Sequence, residues 1–174
     1  MTQETVAGRT NSVLAGERGA APEFAVRFTG ALLAAAIAAV HVADQGGITA
    51  MASPAWIGWG YRLVEIGGIV TALMLLLPAS PRPGPVGLGP IRLGPAWLGP
   101  AGLGWAAGVL LGAGPFIGYI ASRSVGVPGD PGDVGNWGYW VGTVSLLVEA
   151  ALVLLSVGML LAARQRSLAG WARR

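Results

Sequence analysis

The segment from Pro54 to Leu77, PAWIGWGYRLVEIGGIVTALMLLL, is an apolar run that nevertheless contains Arg62 and Glu65. A bilayer-spanning helix needs about 20 predominantly apolar residues, and this run meets that length. Positions 62 and 65 lie one helical turn apart and share a face. A charged side chain within a spanning helix costs several kcal/mol, so it faces protein and takes a partner. The rest of the chain must therefore supply helices that cover this pair.

Three other runs are long and apolar enough to do so. They give approximate spans at 24–44, 54–77, 101–122 and 139–163, an all-α integral membrane four-helix bundle. The composition agrees: 53% of the 174 residues are hydrophobic and 11% charged, where soluble domains carry about a quarter charged residues. Mean hydropathy is +0.62. In the first span Gly30 and Ala34 form a small-xxx-small pair. In the third, Gly104, Gly108 and Gly112 recur every fourth residue, which predicts a face buried against another helix. Pro115 is expected to kink or loosen the outer half of the third span.

The remaining segments are polar or rich in Gly and Pro. Residues 1–23 have no apolar core and read as a disordered cytoplasmic tail. Residues 79–100 form a linker in which Leu88-Gly89-Pro90, Leu93-Gly94-Pro95 and Leu98-Gly99-Pro100 repeat. A proline in every fifth position forbids a regular helix, so an extended or turning path is expected. Residues 164–174 form a basic tail. The basic residues are all Arg, and nine of the eleven fall in the N-terminal region up to Arg27, the linker and the C-terminus. Positive charge stays on the cytoplasmic side, so both termini and the linker are placed there. Trp56, Trp59, Trp137, Tyr139 and Trp140 then form an interfacial belt on the opposite side. A bacterial plasma membrane follows from this reading. In the external loop, Asp130, Asp133 and Asn136 read as turn formers, since their spacing lacks the ligand density of an EF-hand.

Whole classes of chemistry are excluded by composition. No cysteine is present, which removes thiolate metal sites, disulfide exchange and cysteine nucleophiles. His41 is the single histidine, so one chain cannot offer bis-histidine haem ligation. No basic face with interleaved aromatics exists for nucleic acid.

The candidate site residues are Arg62, Glu65 and Glu149. Counted from the outer ends of their spans, both glutamates lie about ten residues in, roughly 15 Å deep. Arg62 is expected to neutralise Glu65, leaving Glu149 protonated or paired with a donor such as Tyr61 or Tyr119. The cluster reads either as a structural clasp that fixes helix register or as a proton or ligand site. His41 and Asp44, near the outer end of the first span, form a second polar group with Arg123 or the external loop. A metal site built from His41, Asp44 and a glutamate has no specific ligand spacing, and the glutamates lie deeper.

The sequence also resembles a known group. The residues concerned are His41 followed by Asp44, the Pro54-to-Glu65 segment, and Gly118-Tyr119-Ile120-Ala121-Ser122-Arg123 with Val125-Gly126-Val127-Pro128-Gly129. They resemble small four-helix membrane proteins of unassigned function common in actinobacteria. In these a GY-x-x-SR-x-x-G-L-P-G-like segment precedes a Glu-containing last helix; Val127 stands here at the usual Leu. This resemblance implies the fold and the membrane location and brings no activity with it. A second likeness is to the DoxX group, whose four-helix proteins also carry a Glu before a Gly-rich run, as in Glu65-Ile66-Gly67-Gly68.

Three functions fit these observations. The first is a non-enzymatic accessory subunit or small-ligand-binding module, in the bilayer with another membrane subunit or with itself as a homo-oligomer. The second is a proton-coupled transporter or channel acting as an oligomer, with Glu65 and Glu149 as protonation sites. The third is a membrane redox or lipid-modifying enzyme using His41 with Asp44 or Glu65. No cofactor is specified by the residues.

Overall fold

The computed structural model describes residues 3–77, 86–88, 91–93 and 100–172. Helix α1 spans Gln3–Asp44, α2 Ala55–Leu76, α3 Pro100–Ser124 and α4 Trp140–Trp171. Each contains a stretch long and apolar enough to cross a membrane, the four stretches being Pro22–Asp44, Ala55–Leu76, Ala101–Ser124 and Trp140–Gly170. The protein is thus a multi-pass helical bundle. Its outward faces carry large apolar side chains such as Leu63, Ile66, Leu73, Leu110, Leu147 and Leu154, all well exposed. A surface of this kind matches lipid and would be costly in water.

Consecutive helices run antiparallel. Gly68 of α2 lies against Ala34 and Ala38 of α1, and Tyr61 reaches Asp44 at the end of α1. Gly108 of α3 lies against Ser156 of α4, and Gly112 lies against Glu149 and Val153. The core between them is small: Ala34, Ile37, Leu111 and Leu152 in one cluster, and Ala31, Leu75 and Trp105 in another. Small residues at the helix contacts let the backbones approach, which is how helices associate where no hydrophobic force acts between them. Gly30, for example, leaves room for the Trp105 ring, whose atoms lie 2.6 Å from where a Cβ would be.

The expected glycine face on α3 is present, but two neighbours share it. Gly104 packs on Leu75 of α2, whereas Gly108 and Gly112 pack on α4. A four-residue spacing drifts around a helix of 3.6 residues per turn, so the stripe passes from one neighbour to the next. Arg27 of α1 is buried and serves the inner end of α2. Its Nε donates to Leu75 O at 2.9 Å and its Nη2 to Leu77 O. These are carbonyls a helix end leaves without intrahelical partners.

Two sequence expectations differ from the structure. The segment expected as a disordered tail is helical from Gln3 onward, continuous with the first span. Between Gln3 and Pro22 it holds no proline, and its four Ala, two Glu, two Arg and one Leu favour a helix against its three Gly. Helix α4 likewise continues through the basic tail to Trp171. Helix α3 runs on through Pro115 to Ser124. Within the linker, a short hairpin pairs β1 (Val86–Leu88) with β2 (Ile91–Leu93), Val86 opposite Leu93. Pro100, the last residue of the Leu-Gly-Pro repeat, opens α3, and the repeat's remaining positions lie outside the described residues.

The end of the bundle that carries the α1–α2 and α3–α4 connections is closed by two glycine-dependent turns. After α1, Gly46 and Gly47 take positive φ, and Gly47 N–H returns to Val42 O at 2.8 Å. Between α3 and α4, Gly129 has φ +84° and sits against the ring of Pro54, where a Cβ would meet Cγ at 2.9 Å. Trp56 Nε1 donates to Pro128 O at 3.1 Å, fixing this loop over the start of α2.

Candidate functional site

The sequence-derived polar residues divide into two places. Arg62 and Glu65 form the first. Their ion pair spans 2.7 Å, and Glu65 is 6% exposed. Gln45 donates to the other carboxylate oxygen of Glu65, and Arg62 Nη2 donates to Ala50 O. This arrangement ties α2 to the turn that follows α1. Both charges are paired and hydrogen-bonded, as a buried ion pair requires.

Glu149 does not join that clasp. It is 1% exposed, accepts a hydrogen bond from Ser145 Oγ at 2.5 Å, and has its Oε1 3.8 Å from His41 Nε2. His41 Nδ1 faces Ile37 O at 2.9 Å. A carbonyl can only accept, so Nδ1 carries the hydrogen and Nε2 is the nitrogen turned to the carboxyl group. Glu149 Oε2 is buried without a hydrogen-bond partner.

The expectation of a common Arg62–Glu65–Glu149 cluster is therefore corrected, as is the expected donor for Glu149. The donor is Ser145, one turn earlier on the same helix, while Tyr61 donates to Asp44. The expected depth of His41 is corrected as well. Depth was counted from the outer end of each span, but the helices end at different heights. Tyr61, well inside α2, is level with the last residue of α1. Glu149 therefore meets His41 although one lies well inside its span and the other lies near an end.

Glu149 and His41 form the inner end of a cavity of about 320 Å³ between the four helices. Asp44 and Tyr61 stand on one wall, Tyr119 and Arg123 on another. Asp44 accepts hydrogen bonds from Tyr61 Oη and, at 2.6 Å, from Tyr139 Oη. The Asp44 hydrogen bond, helped by burial, pushes the Tyr139 phenol up to about 12. Arg123 is 6% exposed, pairs with Asp133, and lies 4.6 Å above the Tyr119 ring. Tyr119 Oη and Arg123 Nε are buried and without hydrogen-bond partners. The Tyr119 ring occupies the space that a side chain at Gly142 would take.

The structure thus brings His41, Asp44, Tyr61, Tyr119, Arg123 and Glu149 into one cavity and leaves Arg62 and Glu65 outside its lining. Sequence reasoning missed Ser145, Tyr139 and Asp133 as partners. For Ser145 a signal existed, since it stands one turn before Glu149 on the same helix face.

A second set of glycines shapes the cavity. Gly60 on α2 and Gly114 and Gly118 on α3 line it, and nothing lies within 4 Å of a Cβ built at any of them. The Gly104, Gly108 and Gly112 positions are filled by neighbours, whereas these three border open space. The cavity is consequently open between the outer halves of α2 and α3.

No family model, curated protein or solved structure matches the chain.

Proposed function

We propose that the protein is a non-enzymatic, small-ligand-binding four-helix module of a bacterial plasma membrane, working as an accessory subunit or as a homo-oligomer. The observation that carries this reading is the cavity itself. It is open at glycine positions, and three of its lining side chains, Glu149, Tyr119 and Arg123, each keep a buried polar atom without a hydrogen-bond partner. Ligand sites are typically about 300–1,000 Å³, mostly apolar, with a few convergent polar groups. The cavity of about 320 Å³ lies at the lower end of that range, which suits a small molecule. Leaving buried polar atoms such as Glu149 Oε2 unpaired costs stability unless something else bonds them.

The test is to purify the protein in a mild detergent and identify co-purifying small molecules by native mass spectrometry, alongside Gly118→Leu. That substitution adds a side chain at a cavity-lining position and meets no atom within 4 Å at Cβ. Wild type should release a bound molecule that the variant lacks. Equal recovery from both, or none from either, would overturn the reading.

One observation favours proton-coupled transport as a second reading. The buried Glu149 carboxyl and His41 Nε2 stand 3.8 Å apart, two groups that can each hold a proton at the inner end of a cavity that is open on its other side. Uptake into proteoliposomes that depends on an imposed pH gradient would separate transport from simple binding.

A further inference from the structure

We infer that the cavity's ligand is an organic ammonium ion, an inference that rests on the ligand-binding reading above. The first observation is the sign of the walls. Four carboxyl groups, of Asp44, Asp130, Asp133 and Glu149, line the cavity against one guanidinium, Arg123, whose Nη1 pairs with Asp133 while its Nε has no partner. Asp44 is held by two tyrosine hydroxyls and has no Arg within ion-pair distance among the described residues. A cleft whose walls carry one sign of charge beside low-dielectric surroundings concentrates ions of the opposite sign.

The second observation is independent of the charge count. Glu149 is 1% exposed, lines the cavity, and has an oxygen without a partner. Tyr119 Oη, also unpartnered, is an oxygen that can accept as well as donate. An ammonium group donates two or three hydrogen bonds, and these oxygens are acceptors for it.

The third observation selects an organic cation over a bare metal ion. The described residues contain no group of three or more His, Asp or Glu side chains arranged to hold a metal. The walls include the rings of Trp56 and Tyr61, besides that of Tyr119, over which Arg123 already lies. Aromatic faces attract organic cations through the ring quadrupole and cover their apolar parts. The opening at Gly60, Gly114 and Gly118 gives an amphipathic molecule a way in from between α2 and α3. The same ammonium chemistry is found on a free amine and on the headgroup of phosphatidylethanolamine.

The experiment is calorimetric titration of the full-length protein in dodecyl maltoside with three molecules of similar shape: 2-phenylethylammonium, neutral 2-phenylethanol and anionic 3-phenylpropionate. The ammonium should bind at least tenfold more tightly than the alcohol. Asp44→Asn and Glu149→Gln should each weaken it at least tenfold and change alcohol binding by a clearly smaller factor. Because Asp44 is half-exposed, its variant keeps the test valid should Glu149→Gln fail to fold. Competition by added phosphatidylethanolamine but not phosphatidylglycerol would assign the ammonium to a lipid headgroup; no competition by either would assign it to a free amine. Alcohol or propionate binding as tight as that of the ammonium, blocked by Gly118→Leu, would overturn the charge preference and leave the ligand-binding reading standing. Ammonium binding unchanged in every folded variant would overturn the inference. So would a failure of all three molecules to bind, the broader reading then being decided by its own co-purification test.

Discussion

His41 and Glu149 face one another across the contact between the first and last helices, Nε2 3.8 Å from Oε1. Ile37 O fixes the histidine tautomer from the other side of the ring. The two groups form a site where a proton can rest on either partner, and Ser145 holds the carboxyl in place.

Glu149→Gln keeps the shape of the side chain and still accepts from Ser145, so the variant should fold with its melting temperature nearly unchanged. Ligand binding by the wild type should vary with pH, since His41 and Glu149 both face the cavity and both can exchange protons. In the variant that dependence should change, because only the histidine of the pair remains to titrate. Titrations at several pH values check this, and an unchanged pH profile would remove Glu149 from the site.

Glu65→Gln acts on the other polar group. It leaves Arg62 with a largely buried side chain and Ala50 O as its remaining strong acceptor. A loss of about 2–4 kcal/mol is expected, because an uncompensated charge stays behind. The double change Arg62→Leu with Glu65→Leu should cost far less, since neither charge remains. Unfolding followed by tryptophan fluorescence measures both.

Two glycines one helix apart in role make a paired test. A Cβ at Gly108 would lie 2.5 Å from Ser156 Oγ, whereas one at Gly118 meets nothing within 4 Å. Gly108→Leu should therefore destabilise by about 3 kcal/mol or prevent assembly by forcing α3 from α4. Gly118→Leu should unfold at nearly the wild-type temperature. Equal stability of the two variants would contradict the helix packing described above.

Arg27→Met removes the donors to Leu75 O and Leu77 O while keeping the length of the side chain. A cost of about 2 kcal/mol follows from leaving carbonyls unpaired at a helix end. Faster hydrogen exchange confined to the inner end of α2 would show the effect at its source.

Orientation in the bilayer is checked by reporter fusions at Asp133 and at Arg174. The arginine distribution places the first outside and the second inside. Reporters active on the same side would defeat this topology.

The sequence alone determined the spans and the class. Lipid replaces water over a fixed thickness, so long apolar runs such as 54–77 declare themselves without any knowledge of their neighbours. It also determined the Arg62–Glu65 pair, because residues three apart on one helix meet whatever the helix packs against. Tertiary structure decided the cavity. Which side chain meets Glu149 depends on how far α1 and α4 slide past each other, and helix ends at unequal heights hid that register from residue counts. The glycines show the same limit. Gly112 and Gly114 are chemically identical and two positions apart, yet one is pressed against α4 and the other borders open space. Only the placement of neighbouring helices separates a glycine that lets backbones touch from one that leaves room for a ligand.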